Sequence, residues 1–284
     1  MSDKFIKNTN LQNVINKEVE IYKASLKNLR KPLKLLDSTT SFLLKSMRLA
    51  LQMYKNSNKK LEKDFLTVFL HISNAALHLT RSSRLNFCYG YYGSVMVLNR
   101  ALQNYLYTLM YVHHNPKDCE ILIKEEKDTY QNDKSYRKKF HEVSIREFLI
   151  KMGYDIPEEE LQTLSKVTHG STFSSQIFGY KPLYTEYEGE YDVKYAPEYD
   201  VIKAIPLIQL LMVFPLDFVR FFIMHFDNYT KKWKAMRSEL QKHDQDVDTA
   251  ISSLDRQYHF IRNSTPEELL NFISWRNKRN EIKK

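Results

Sequence analysis

The chain has 284 residues, 43% of them hydrophobic and 27% charged, which is the balance of a globular protein with a sizeable core and excludes a disordered chain. Six glycines and two cysteines, Cys88 and Cys119, argue against a many-stranded hairpin fold and exclude a disulfide framework. The formal charge of +9 is concentrated at one end: residues 1–63 hold 14 Lys/Arg against 5 Asp/Glu, residues 64–226 hold 17 against 20, and residues 227–284 hold 12 against 9.

Helical periodicity begins at once. Leu11, Val14, Ile15, Val19, Tyr22, Leu26, Leu29 and Leu33 recur every three to four residues, which predicts a helix over about 11–36. A second is expected over about 39–55, entered by Ser38 or Thr39. A third is expected over about 60–80, with Leu61, Phe65, Val68, Ile72, Ala75, Ala76 and Leu79 on one face. A fourth, over about 90–112, is rich in Tyr, Leu, Met and Val. It should end near Asn115-Pro116, because the residue before a proline avoids the helical region.

Residues 116–140 are strongly charged and read as a short helix plus a surface connection. Ser144 to Met152 reads as a short helix stopped by Gly153. Pro157 with Glu158, Glu159 and Glu160 opens another helix, which Gly170 closes. Residues 180–200 hold six tyrosines and a net charge of −4, and read as an ordered excursion, with a lid-like loop as the competing reading.

Val201 to Phe226 is the most apolar run. It carries Lys203, Asp217 and Arg220 and is interrupted by Pro206 and Pro215, so a buried core helix is expected rather than a membrane span. Ser264-Thr265-Pro266-Glu267-Glu268 signals a last helix through Trp275. The expected fold is all-α: a multi-helix bundle centred on residues 65–226, with basic helices at 1–64 packed on it and further helices over 227–284. No secretory signal is read at the N-terminus, and the expected location is the cytoplasm.

The basic N-terminal region has two readings. One is contact with a polyanion such as RNA or DNA. The plainer one is a solvated lysine face, favoured because no aromatic residues are interleaved as a base-stacking platform requires.

Chemistry-bearing residues are few. Asn99, Arg100, Gln103 and Asn104 share one side of an otherwise apolar helix, which reads either as its solvent side or as a buried polar seam. His169, just before Gly170, is expected at a helix C-terminus with Ser165 one turn earlier. Arg100, Asn104, Ser165 and His169 are therefore expected around one polar pocket, where the free carbonyls closing the 157–169 helix would accept from Arg100. His113, His114, Asp118 and Cys119 cluster near a helix end, but a histidine pair before a proline turn is ordinary surface. No metal or cofactor is expected. Nor does the chain carry a phosphate-binding loop, a nucleophile elbow or a dinucleotide fingerprint.

Leu98-Asn99-Arg100-Ala101-Leu102-Gln103-Asn104, followed by Leu164-Ser165 and His169-Gly170, resembles an uncharacterised bacterial family of HEPN-like helical proteins over roughly residues 65–225. The resemblance implies an α-helical bundle. The wider group includes metal-independent ribonucleases of toxin–antitoxin and phage-defence systems. In that pattern an acidic residue follows the arginine by four, and here the position holds Asn104.

Active members resemble one another in an Arg-x(4–6)-His motif, where histidine takes the 2′-hydroxyl proton and arginine holds the phosphate. Two matches occur, Arg220 with His225 and Arg237 with His243, against about one expected by chance from this composition. The first pair is the catalytic candidate, although five residues along a helix turn the two side chains about 140° apart. The second lies in a stretch expected to be solvated. Two functions follow as expectations: a helical interaction or regulatory protein, with the ribonuclease as the alternative. The expected partners are RNA or another protein, not a membrane, and self-association into a homo-oligomer stays open.

Overall fold

A computed structural model describes residues 11–125, 139–156, 199–225 and 231–263. Among these, 91% are helical, in eight α-helices, with no strand. The helices are α1 (Leu11–Asn28), α2 (Arg30–Asn56), α3 (Lys60–Cys88), α4 (Tyr92–His114), α5 (Cys119–Glu125), α6 (Glu142–Lys151), α7 (Val201–His225) and α8 (Lys231–Asn263), with a 3₁₀ turn over Pro116–Asp118. The all-α bundle read from the sequence is the architecture observed. The helices expected from Pro157 and from Ser264, and all but the last two residues of the tyrosine-rich segment, lie outside the described residues.

The first two helices divide elsewhere than expected. The break falls at Leu29, whose backbone (φ −115°, ψ 27°) leaves the helical region, and α2 then runs unbroken through 36–39. Pro32 explains the position. It cannot donate to the carbonyl four residues back, and its ring crowds that carbonyl, so the first turn of a helix holds it at least cost. Thr39, Thr40 and Ser41 do not cap anything. Their hydroxyls donate back to the carbonyls of Leu35, Leu36 and Asp37 at 3.1, 2.9 and 3.1 Å, which keeps them inside the helix.

Two glycines end helices. Gly90 (φ 81°) closes α3, where Tyr91 N–H donates to Asn86 O at 2.8 Å. Gly153 (φ 86°) closes α6 as expected, with Tyr154 N–H donating to Leu149 O at 3.0 Å. Both conformations are left-handed, where a Cβ is strained, and both satisfy terminal carbonyls that would otherwise be orphaned.

α7 is the centre of the bundle and packs against α2, α3, α4 and α8. Phe218 and Phe222 are fully buried, and Phe222 stacks on Phe69 of α3 with ring centroids 4.5 Å apart. A helix that is apolar on nearly every side needs neighbours on every side. The helix stays continuous through Pro206 and Pro215. Its Lys203–His225 stretch is also long and apolar enough to cross a membrane, and two-thirds of that window is buried within the bundle. α8 lays Met236, Leu240, His243, Val247, Ala250 and Leu254 along one buried seam, alternating four- and three-residue steps as in a coiled coil.

Candidate functional site

The polar side of α4 is buried, not solvated. Arg100 is 7% exposed, Gln103 1% and Asn99 fully enclosed. The covering element is α6, whose Ile145 and Leu149 pack on Tyr107 of α4. That docking brings Glu142, in the first turn of α6, onto the Arg100 guanidinium as its counterion. Arg100 Nη1 donates to Gln103 Oε1 at 3.2 Å, and Asn104 Nδ2 donates to Glu142 Oε2 at 3.3 Å. Arg146 Nε stands 3.9 Å from the same carboxylate.

Arg100 therefore has its acid. It comes from another helix rather than from the position four residues on, where Asn104 helps to hold it instead. The carbonyls expected to accept from Arg100 are not needed for this pairing. Ser165 and His169, placed with Arg100 and Asn104 in the expected pocket, lie outside the described residues. Burial, and then the neighbouring Arg146 cation, pull Arg100 below the ordinary guanidinium value, which still leaves it charged at neutral pH.

Asn99 stands apart from this set. Among the described residues neither its carbonyl oxygen nor its amide nitrogen finds a hydrogen-bond partner, although the side chain is completely buried.

The Arg220 and His225 side chains engage separate partners. Arg220 Nη1 donates to Asp217 Oδ1 at 2.9 Å, and its Nε lies 3.3 Å from Asp244 Oδ1 of α8. Burial raises the Asp217 carboxyl above its ordinary value, against the opposing pull of Arg220. His225 packs instead on His113 at the C-terminus of α4, with ring centroids 3.9 Å apart, and on Phe221 at 4.4 Å. His113 also meets Phe65 and His114, and His114 Nε2 pairs with Tyr154 Oη at 2.8 Å. Burial, with His225 and His114 adding to it, pushes the His113 pKa down to about 4, and His225 is lowered as well.

Near this cluster, Asp118 accepts from Tyr111 and pairs with Lys139, while Cys119 is fully buried. Among the described residues no group of three or more His, Cys, Asp or Glu side chains is arranged to hold a metal.

His243 departs from expectation. Arg237 is exposed, but His243 is 6% exposed and faces Thr39 and Phe42 of α2. Thr39 Oγ1, which also lies 3.1 Å from Leu35 O, is in hydrogen-bond contact with His243 Nε2 at 2.7 Å. Burial lowers the His243 pKa, partly offset by Asp244 and Asp246. This ring forms part of the wall of a shallow groove of about 310 Å³ between α2 and α8, beside Lys45 and Lys242. The sequence signal for its burial is its place in the α8 seam.

Compared with protein-family models, curated proteins and solved structures, the chain gives no significant match.

Proposed function

We propose that this protein is a helical interaction or regulatory protein without catalysis of its own, of the kind that serves bacterial defence or toxin–antitoxin systems. One observation carries the reading: both candidate arginines are committed to carboxylates. Arg100 is held by Glu142, and Arg220 by Asp217 and Asp244, while His225 is stacked elsewhere. A guanidinium that stabilises a scissile phosphate must be free to meet it at the moment charge develops. Burial of the α4–α6 polar set ties it to the packing, because the Arg100–Glu142 and Asn104–Glu142 pairs form only when those two helices meet in one register. The likeness to HEPN-like helical proteins supplies the defence context. The metal-independent ribonuclease built on Arg220 and His225 is the alternative, and it needs both side chains on one phosphate.

Copurification from the native host, with analysis of bound protein and nucleic acid, tests the proposal. A protein partner, or nucleic acid recovered intact, is the expected result. Recovery of the chain with RNA cleaved at defined positions would favour the ribonuclease.

A further inference from the structure

Among the described helices the strongest charge asymmetry lies on α2. Its 27 residues carry six cations, Arg30, Lys31, Lys34, Lys45, Arg48 and Lys55, against the single acid Asp37, and Asp37 is neutralised by Arg84 of α3 at 2.6 Å. All six cations are exposed. Lys45 pairs with Glu239 at 2.9 Å. Arg30, Lys34, Arg48 and Lys55 make no ion pair with any of the described residues. α8 offers the contrast: seven Lys/Arg are interleaved there with five Asp/Glu, the pattern of an ordinary solvated helix.

The geometry of α2 turns this composition into a surface. At 100° per residue, Arg30, Lys34, Lys45, Arg48 and Lys55 fall within an arc of about 80°, and at 1.5 Å per residue they extend over about 38 Å. Like charges one turn apart, such as Arg30 and Lys34, repel and cost the helix a few tenths of a kilocalorie. Apart from the Lys45–Glu239 pair, folding makes no ion pair with these cations among the described residues, and the packing of α2 runs through Leu33, Leu36, Phe42, Leu43 and Ala50.

We propose that this stripe is a docking surface for the sugar–phosphate backbone of a nucleic-acid duplex. A single file of cations matches a linear polyanion, and its length matches one duplex turn of about 34–36 Å. No aromatic residue stands in the file, whereas single-strand binders stack bases on exposed rings. Recognition is therefore of the backbone and independent of sequence. The proposal rests on the reading as an interaction protein and names its partner.

The test is fluorescence anisotropy of the full chain with 20-base-pair RNA and DNA duplexes, the matching single strands, and phosphatidylserine vesicles. Expected is duplex binding that weakens about 150- to 500-fold between 50 and 200 mM salt, the slope for four or five neutralised phosphates. The triple variant Lys34→Glu/Arg48→Glu/Lys55→Glu should lose at least tenfold in affinity. The milder Lys34→Gln/Arg48→Gln/Lys55→Gln should follow it in the same direction, and both should keep the circular dichroism of the parent. Arg256→Glu/Arg262→Glu on α8 should bind as the parent does. Duplex binding unchanged in both triple variants overturns the proposal, as does binding to vesicles or single strands alone. A protein partner recovered from the native host without duplex affinity would leave the interaction reading standing and sink this one; RNA cleavage would do the reverse.

Discussion

Arg100 shows how far a single residue can be read. Its place in a polar set on an apolar helix is visible from i, i+3 and i+4 spacing, and that set is buried. Its partner is not visible, because Glu142 lies 42 residues on and reaches Arg100 only once α6 has docked. The pairing predicts an asymmetry. Glu142→Ala leaves the buried Arg100 side chain, 8% exposed, without its carboxylate and is expected to cost about 3–5 kcal/mol, the range for breaking a buried pair. Arg100→Ala leaves a carboxylate whose side chain is 35% exposed and still near Arg146, and is expected to cost only about 1–3 kcal/mol after solvent screening. Urea denaturation of the two variants checks the order, and equal losses would contradict the pairing. Asn99 predicts the opposite sign. An amide buried with neither atom bonded forfeits its hydration for nothing, so Asn99→Leu is expected to raise stability by about 1–2 kcal/mol in the same assay. A loss there would mean that the amide is satisfied in solution, for example by a buried water.

Whole elements were more legible than their joints. α3, α4, α6 and α7 follow from apolar periodicity, and the α4 and α6 ends follow from Asn115-Pro116 and Gly153. The α1–α2 joint was missed because the apolar pattern continues across it. Pro32 was the signal, because the first turn of a helix holds a proline at least cost. Thr39 was read as a cap because Ser and Thr are common caps, yet the same hydroxyls can bond back along a helix that tertiary packing already holds.

The C-terminal ends of α4 and α7 meet through His113, His114 and His225, and this contact carries a pH dependence. The titratable groups acting on His113 are the other two histidines, and no carboxylate offsets them. His113 titrates at about 4 in the fold and near 6.5 when unfolded, so between these values the unfolded state binds more protons. The stability this contributes is complete above about pH 6.5 and is lost as pH falls toward 4, and the lowered His225 acts with the same sign. The midpoint of thermal unfolding is therefore expected to fall from pH 7.5 to pH 5.0. In His113→Phe, which keeps the ring contacts with Phe65 and Phe221, the fall should be smaller by on the order of 2–5 °C. An undiminished fall in that variant would remove the cluster from the account.

For the molecule as a whole, α7 organises the bundle. Its apolar surface is covered by α2, α3, α4 and α8, so the chain's most hydrophobic run becomes its core. Fold class was readable because it rests on local periodicity summed over many residues. The site was readable only in part, because which carboxylate meets which guanidinium depends on contacts between distant segments. Those contacts turn two motif matches into packing features: Arg220 is tied to Asp217 and Asp244, and His243 to Thr39. They also leave Arg30, Lys34, Arg48 and Lys55 of the α2 stripe without an ion pair among the described residues.

The proposed reading, an interaction protein without catalysis of its own, predicts that this chain leaves RNA uncut. The direct measurement is incubation of the purified full chain with structured and single-stranded RNA in the presence of EDTA, followed by product analysis on denaturing gels. The account expects intact RNA at every protein concentration, alike for the parent, Arg220→Ala and His225→Ala. Cleavage by the parent that is abolished in both folded variants would contradict it.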